Sequence, residues 1–394
     1  MRLHTFRCSQ SLKGKRILVR IDGNVPVKRG VVVDGPQGKI ARVAVDLEWL
    51  RQQGARLVVM THLGRPEGKR MAAYTVAPVA KRLSELLGVP VRLSREVVGP
   101  KAEQMAVLLQ DGDVLLLENL RFHPGEERNS RAFAQQLAAL GDLYINDAFA
   151  VSHRAHASVD AVTEELTSYA GPLLAHEVGV LAALSAAPKP PVVLVMGGLK
   201  MDTKLPVLER FLPKVDAVLI GGALAHAFFV AQKKAVGRSA YDPEGVAVAK
   251  RLLRDWSGKI HLPVDVAAAS RLSSQAVVRH VSCDRIGAGD YAVDVGHETL
   301  KVYEAVLQGA KTIIWNGPFG YCEVPKFAEG TRALARMIAA RTGKAKTVVG
   351  GGDTVPILED AQLMDKFSLV STGGGAMLEF LAGKKLPGLV ALET

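Results

Sequence analysis

Two lysines four residues apart follow an apolar run in the stretch PVVLVMGGLKMDTKLPV, residues 191–207. The run Val192–Met196 reads as a buried strand that ends at two glycines, which let a ligand approach the backbone closely. If a helix begins here, Lys200 and Lys204 lie one turn apart and both ammonium groups can face one anion at its N-terminus. The pattern predicts a phosphate site, although an ordinary strand–helix turn with two solvated lysines would look the same.

Arginine and histidine recur in the polar loops that follow the predicted strands of the first half. The residues concerned are His62 with Arg65, Arg121 with His123, and His153 with Arg154. In open α/β sheets ligands bind beyond the carboxyl ends of the strands, and arginine there suits bidentate recognition of phosphate or carboxylate. Asp22 and Asn24, in the loop after the first strand, can accept hydrogen bonds from substrate hydroxyls. One such pair alone is usually a surface feature, but the recurrence predicts a basic pocket for a small anion.

Glycine-rich turns punctuate the second half at the ends of apolar runs. They are Gly221-Gly222, Asn316-Gly317-Pro318, Gly350-Gly351-Gly352-Asp353-Thr354 and Gly373-Gly374-Gly375. Flexible glycine before a helix start can cradle polyphosphate, and Asp353 could hold Mg²⁺ there. The turn at Gly350 alone is a weak signal that a plain glycine turn explains equally well. Neither a GxxxxGK[ST] motif nor a GxGxxG after the first strand of either half occurs, so a P-loop is excluded and a dinucleotide site is weakly supported.

Composition limits the class of protein. The chain has 394 residues, which favours two domains, and 48% hydrophobic content, but no apolar run long enough to cross a membrane. Three widely spaced cysteines and an N-terminus without a secretory signal predict a cytoplasmic protein without a cysteine metal site. The net charge of +11 is shared by both halves, and aromatic residues make up 5%. A small anionic substrate explains this charge at least as well as nucleic acid does.

Strands and helices alternate throughout, which predicts parallel sheets covered by helices in an α/β fold. An apolar helix pattern at 172–187 and the proline-rich break after it divide the chain into domains 1–171 and 188–383. The first domain offers a pocket for an anion, and the second offers glycine-lined helix starts with two lysines and Asp353. This pairing predicts phosphoryl transfer across a cleft that closes about the hinge.

Several segments, in the same order, resemble the phosphoglycerate kinase family. They are VRIDGNVP (19–26), THLGRP (61–66), LLENLRFHPGEE (116–127), NDAF (146–149), SHRAHAS (152–158), GGLKMDTK (197–204), WNGPFGYCE (315–323), GGGDT (350–354) and STGGGAMLEFLAGKKLPG (371–388). The resemblance covers essentially the whole chain. It implies two Rossmann-like three-layer α/β/α domains with mainly parallel sheets, joined by a hinge helix. It also implies that the C-terminal tail, about 384–394, packs on the first domain.

The resemblance implies reversible phosphoryl transfer between 1,3-bisphosphoglycerate and ADP, giving 3-phosphoglycerate and MgATP, in a monomer that binds no nucleic acid or membrane. By similarity the phosphoglycerate side uses Asp22, Asn24, His62, Arg65, Arg121 and Arg154. Lys200 would contact the phosphoryl group in transfer. The nucleotide side would use Lys204, Gly222, Asn316, Glu323, Gly350, Gly351, Gly352, Asp353 and Thr354, and Asp353 would bind Mg²⁺.

Two departures from the family pattern affect the predicted site. The family's catalytic arginine aligns with Lys39, and Arg42 follows three residues later. Either Lys39 serves there as a point charge, or Arg42 reaches in from the next turn. Lysine cannot reproduce the planar bidentate fork of arginine, so we expect Arg42 to compensate for Lys39. Gly23 stands where the family has phenylalanine, which predicts a looser first loop. The Lys39 position also leaves open a catalytically weakened paralogue that binds phosphoglycerate or nucleotide without efficient turnover.

Overall fold

The computed structural model describes residues 2–6 and 11–393, so that Cys8 lies outside the described residues. The chain divides into two compact units. The first contains the described residues up to Ala182 together with those from Lys385 onward, and the second is Ala183–Lys384. No helix in the described ranges is both long and apolar enough to span a bilayer.

The first unit is built on a six-stranded parallel sheet. Its strands and helices are β1 (Arg16–Ile21), β2 (Val27–Lys28), β3 (Val31–Val32), α1 (Lys39–Gln52), β4 (Arg56–Met60), α2 (Ala77–Leu87), β5 (Val91–Leu93), α3 (Pro100–Val107), β6 (Val114–Leu116), α4 (Arg131–Ala138), β7 (Leu143–Asp147), β8 (Ser168–Ala170) and α5 (Pro172–Ala186). The sheet order is β5-β6-β4-β1-β7-β8, and β2 and β3 form a separate antiparallel pair.

Both faces of this sheet are buried. Along β1, Ile17 and Val19 pack with α1 and α2 in one hydrophobic cluster, whereas Leu18 packs with α3 and α4 in another. Successive side chains of a strand point to opposite faces, so a strand that is apolar at every position needs helices on both sides. The unit is therefore a three-layer α/β/α sandwich, as the family resemblance implies.

The second unit contains a second six-stranded parallel sheet and a smaller antiparallel one. Its elements are β9 (Val192–Met196), α6 (Met201–Phe211), β10 (Ala217–Ile220), α7 (Gly222–Ala231), α8 (Gly245–Trp256), β11 (Ile260–His261), β12 (Asp265–Ala269), β13 (Val278–Ser282), β14 (Tyr291–Val295), α9 (His297–Gly309), β15 (Thr312–Asn316), α10 (Glu329–Ala339), β16 (Lys346–Gly350), α11 (Val355–Asp360), β17 (Leu369–Ser371) and α12 (Gly375–Leu381). The parallel order is β11-β10-β9-β15-β16-β17, and β13-β12-β14 is antiparallel. The predicted α/β class with mainly parallel sheets is confirmed.

The last helix of the chain, α13 (Pro387–Val390), belongs to the first unit. The Gly388 N–H donates to the Ser152 carbonyl at 3.0 Å, and His4 N–H donates to the Leu392 carbonyl at 2.8 Å. A Cβ at Gly388 would lie 3.1 Å from Ser152 Cα, so glycine permits this close approach. The division between the units falls within α5, and the predicted boundaries at 171 and 188 and the hinge role of α5 remain predictions.

Candidate active site

A cavity of about 200 Å³ in the first unit gathers the polar loops that follow its strands. It is lined by Asp22, Asn24, Lys39, His62, Gly64, Arg65, Arg121, Ala150, Val151, His153 and Arg154. All six residues expected on the phosphoglycerate side are among them. Four cationic side chains face one another there with a single lining carboxylate, so the cavity is suited to an anion with several negative charges.

Lys39, and not Arg42, lines this cavity. Lys39 is the first residue of α1, where its ammonium Nζ lies 2.8 Å from Asp22 Oδ2. Asp34 accepts hydrogen bonds from the N–H groups of Ile40 and Ala41 at 3.1 and 3.0 Å, which fixes the start of the helix. Arg42 lies three residues further along, and its charge acts on the half-buried carboxyl of Asp46. The expectation that Arg42 compensates for Lys39 therefore gains no support from its position.

The loop after β1 is held by hydrogen bonds despite Gly23. The Gly23 N–H donates to Thr61 Oγ1 at 2.8 Å, and the Gly64 N–H donates to Asn24 Oδ1 at 3.0 Å. A Cβ at Gly23 would lie 2.8 Å from Thr61 Oγ1, so any larger residue would require Thr61 to shift. These bonds oppose the looseness that glycine alone would give.

His62 is a neutral hydrogen-bonding group. An Nη2–H of Arg20 lies 3.1 Å from His62 Nδ1, and since arginine can only donate, Nδ1 accepts and the ring proton is on Nε2. Burial, with the charges of Arg20 and Arg121, lowers the pKa of His62 well below its usual range. His62 can therefore donate its Nε2 proton in a hydrogen bond to a substrate oxygen while the ring stays uncharged.

Arg20 belongs to a buried polar network behind the cavity that sequence reasoning missed. Its Nε–H donates to Ser158 Oγ at 3.1 Å, and Ser158 donates to Glu126 Oε1 at 2.6 Å. Burial raises the pKa of Glu126, and the charge of Arg20 opposes that shift. An arginine inside the apolar run RILVRI was the available signal, because a charged residue in a buried strand needs a buried partner.

We expect Arg20→Met to destabilise the protein by about 3 kcal/mol, because Glu126 would lose its buried cation. The free energy of unfolding in urea measures this. The matched control is Arg128→Met, at an exposed position on the loop that carries Glu126. It should leave the free energy of unfolding within about 0.5 kcal/mol of the wild type. Adding Glu126→Gln to Arg20→Met should restore part of the loss, and a double variant as unstable as the sum of both single changes would contradict this role.

In the second unit, Lys204 in the first turn of α6 meets Asn316 at the end of β15. Lys204 Nζ donates to Asn316 Oδ1, and both side chains are buried. The Nδ2 group of Asn316 and the hydroxyl of Thr354 are buried without a hydrogen-bond partner. Buried polar atoms are seldom left unpaired, so these two donors point to a ligand that accepts hydrogen bonds.

The glycine turn after β16 lies against the same two groups. A Cβ at Gly351 would lie 3.1 Å from Thr354 Oγ1 and 3.5 Å from Asn316 Nδ2. The backbone φ of Gly351 is +124°, a value that favours glycine. Asp353 is exposed beside the turn, and its charge acts on Lys204. The structure therefore brings together Lys204, Asn316, Gly351, Asp353 and Thr354.

Magnesium fits this site only as a partner of a bound phosphate. Among the residues the structure describes, no group of three or more His, Cys, Asp or Glu side chains could hold a metal ion. Mg²⁺ is commonly held by one or two carboxylates together with substrate phosphates and water, and Asp353 can supply such a carboxylate.

Lys200 and Lys204 occupy different environments. Lys200 is exposed and precedes α6, where it lines a groove with Leu199 and Tyr241, whereas Lys204 is buried. The helix α6 begins at Met201, so Lys200 directly precedes it and Lys204 lies in its first turn. The Met201 N–H donates to Asp242 Oδ2 at 3.0 Å, and a cap from so distant a loop leaves no local sequence signal.

The other predicted nucleotide residues are distributed around this turn. Gly222 begins α7, and a Cβ there would lie 2.8 Å from the Pro318 carbonyl, so this start fits closely against the loop after β15. Gly350 ends β16, Gly352 is exposed, and Glu323 is exposed in the loop beyond Pro318. No contact given by the structure brings Glu323 to Lys204 or Asn316.

We expect nucleotide affinity to fall as the pH rises through 8. Burial lowers the pKa of Lys204 to about 8, and the charge of Asp353 opposes that shift. The protonated ammonium attracts phosphate, and it is lost above its pKa, so the Kd for ADP should rise about tenfold between pH 7 and pH 9. Calorimetric titration measures this, and Lys204→Arg, which stays charged, should flatten the profile. A wild-type Kd that does not change over this range would contradict the assignment.

The two parallel sheets, the cationic cavity in one unit and the lysine–glycine site in the other define the class of α/β phosphotransferases. Comparison with known proteins makes the family explicit. A family model described as phosphoglycerate kinase matches residues 8–384. The chain belongs to the phosphoglycerate kinase family and is an ATP-dependent phosphotransferase of glycolysis.

Individual relatives agree with this assignment. The chain is 44% identical to a phosphoglycerate kinase from Moorella thermoacetica over 384 aligned residues. The aligned region covers 97% of each chain. It resembles the solved phosphoglycerate kinase structure from Coxiella burnetii with a TM-score of 0.82 at 38% identity, over 98% of this chain and 97% of that one. The structure from Pyrococcus horikoshii gives a TM-score of 0.88 at 29% identity, over 98% of both chains.

Proposed function

We propose that the chain transfers a phosphoryl group reversibly between 1,3-bisphosphoglycerate and ADP, giving 3-phosphoglycerate and MgATP. The cationic cavity of the first unit carries the proposal, because it combines four cations with the neutral donor His62. A substrate with a phosphate, a hydroxyl and a carboxylate matches this set of groups. Small-molecule substrates of this kind also follow from the family.

In the first unit we assign phosphate binding to Arg65, Arg121 and Arg154. Arg121 Nη1–H also donates to the Gly64 carbonyl at 2.7 Å, which orients its guanidinium. Asp22, Asn24 and His62 would bind the hydroxyl and carboxylate of the glyceryl group. Together these contacts would orient the acceptor, which supplies much of the catalysis in phosphoryl transfer.

In the second unit we assign the nucleotide phosphates to Lys204, Asn316, Thr354 and the glycines 350–352. Gly222 would lie against the nucleotide, and Glu323 would bind the ribose. Mg²⁺ would arrive with the nucleotide as part of the substrate and neutralise phosphate charge, with Asp353 as its protein ligand.

The chemical step needs no base from the protein. A carboxylate oxygen of 3-phosphoglycerate attacks the γ-phosphorus of ATP, an O–P bond forms, and the bond from that phosphorus to the β–γ bridging oxygen breaks. The carboxylate is already ionised, so no proton moves. We propose that Lys39 and Lys200 neutralise the negative charge of the phosphoryl group as it transfers. Domain closure, which the family resemblance implies, remains a prediction.

Nothing in the structure or the relatives favours a catalytically weakened paralogue. Lys39 lines the cavity and can place a positive charge there, although without the bidentate geometry of arginine. We also propose, from the family resemblance, that the enzyme is a cytoplasmic monomer. Sedimentation equilibrium of the purified protein would test the monomer.

Trapping the acyl phosphate tests the proposed reaction. The enzyme with 3-phosphoglycerate, MgATP and hydroxylamine should form a hydroxamate in an amount equal to the ADP released, because hydroxylamine captures acyl phosphates. 2-Phosphoglycerate is the matched control and should give none. Release of ADP without hydroxamate would show transfer to water and would contradict the proposal.

A further inference from the structure

A second cavity, of about 510 Å³, lies in the second unit between the antiparallel sheet and helices α9 and α10. We call it the α10 groove. Its apolar lining consists of Ala267, Val278, Val295, Leu300 and Ala333. None of the residues assigned above to the nucleotide lines it, so it is a feature the proposed reaction does not use.

Cationic and imidazole side chains make up most of the polar lining. They are His280, His297, Lys326, Arg332 and Arg336. The two imidazole rings lie with their centroids 4.1 Å apart, and Arg332 and Arg336 are one turn apart on α10. These side chains thus come from β13, from the start of α9, from the segment before α10 and from α10 itself.

The lining lysine and arginines are not neutralised within the part of the chain that the structure describes. Lys326 Nζ donates to the Ala276 carbonyl, and Arg332 Nη1–H donates to the Pro325 carbonyl at 2.6 Å. No carboxylate forms an ion pair with Lys326, Arg332 or Arg336 among these residues. The lining contains two carboxylates, the exposed one of Glu329 and the buried one of Asp294.

The buried carboxylate is already engaged. Asp294 accepts hydrogen bonds from the N–H groups of Gly330 at 2.7 Å and Val295 at 2.9 Å, so it caps the start of α10. Asp265 likewise accepts the Thr299 N–H of α9 at 2.7 Å. Because both helix starts are capped by carboxylates, the lysine, arginine and histidine side chains are the side-chain donors left to bind a ligand in the groove.

We propose that the α10 groove binds a small molecule that carries a diphosphate group. Arginine binds phosphate oxygens bidentately, and two arginines one turn apart can hold two linked phosphate groups. Lys326 and the imidazole pair supply further donors. The apolar lining leaves room for an organic group attached to the diphosphate, and a cavity of about 510 Å³ exceeds what a single phosphate needs.

The histidine pair provides a local readout. The Hε1 proton signals of His280 and His297, assigned with His280→Gln and His297→Gln, would be followed while inorganic pyrophosphate is added to the full-length protein. We expect both signals to shift saturably. An alkyl diphosphate should bind more tightly if its apolar part lies on the lining, and orthophosphate should bind at least about tenfold more weakly. Orthophosphate that binds as tightly as pyrophosphate would overturn the diphosphate assignment.

Variants separate this groove from the nucleotide site. Arg336→Ala changes an exposed side chain, and we expect it to weaken pyrophosphate binding about tenfold while kinase activity is unchanged. The matched control is Arg254→Ala on α8, where the arginine is exposed and paired with Asp255, and it should leave the affinity unchanged. Histidine signals that do not move, or that move equally in Arg336→Ala, would contradict the proposal.

Discussion

Replacing Lys39 with alanine is expected to lower kcat about 10³-fold, which is the scale of a cation that stabilises a transferring phosphoryl group. Lys39 Nζ lies 2.8 Å from Asp22 Oδ2 at the edge of the cavity, so the position of its charge is fixed. The variant removes this charge and leaves the other cations of the cavity in place. A coupled assay with 3-phosphoglycerate and MgATP measures kcat, and an unchanged melting temperature would exclude a loss of fold.

Arg42→Ala is the matched control for Lys39. Its charge acts on Asp46 along α1, and we expect kcat to stay within about a factor of three. Lys39→Arg should retain activity, because arginine supplies the same charge with two parallel donors. An Arg42→Ala variant that loses as much activity as Lys39→Ala would show that Arg42 provides the compensating cation after all.

Replacing Lys200 with alanine is the second large effect we expect, again about 10³-fold in kcat. Lys200 is exposed just before α6, so its removal should cost little stability. The KM for MgATP should change far less than kcat, because we assign ground-state binding of the nucleotide phosphates to the buried Lys204. Lys344→Ala, at another exposed lysine of the same unit, is the control and should match the wild type. An increase in KM at constant kcat would instead place Lys200 in nucleotide binding.

The sequence predicts the fold class well because its strands are apolar at nearly every position. A run such as Val192–Met196 needs cover on both faces, and this requirement dictates helices on both sides of a parallel sheet. The antiparallel sheet was not predicted. Its strand Val278–Ser282 is largely exposed and carries arginine and histidine, so it lacks the apolar pattern on which the prediction relies.

The cavity could be predicted because its residues follow strand ends. Asp22, His62 and Arg121 lie in loops after β1, β4 and β6, and parallel strands bring such loops to one edge of the sheet. The apolar run around Arg20 indicates a buried partner, but the sequence could not identify Glu126, because the two residues meet through Ser158 from distant parts of the chain. The α10 groove is likewise assembled from separated segments.

Turnover of the wild-type protein tests the central claim most directly. In a coupled assay with saturating 3-phosphoglycerate and MgATP, we expect a kcat within the range of kinases, about 1–100 s⁻¹. Calorimetry on the same preparation should show that each substrate binds. Binding of both substrates with negligible turnover would contradict the account and would identify the chain as a binding paralogue.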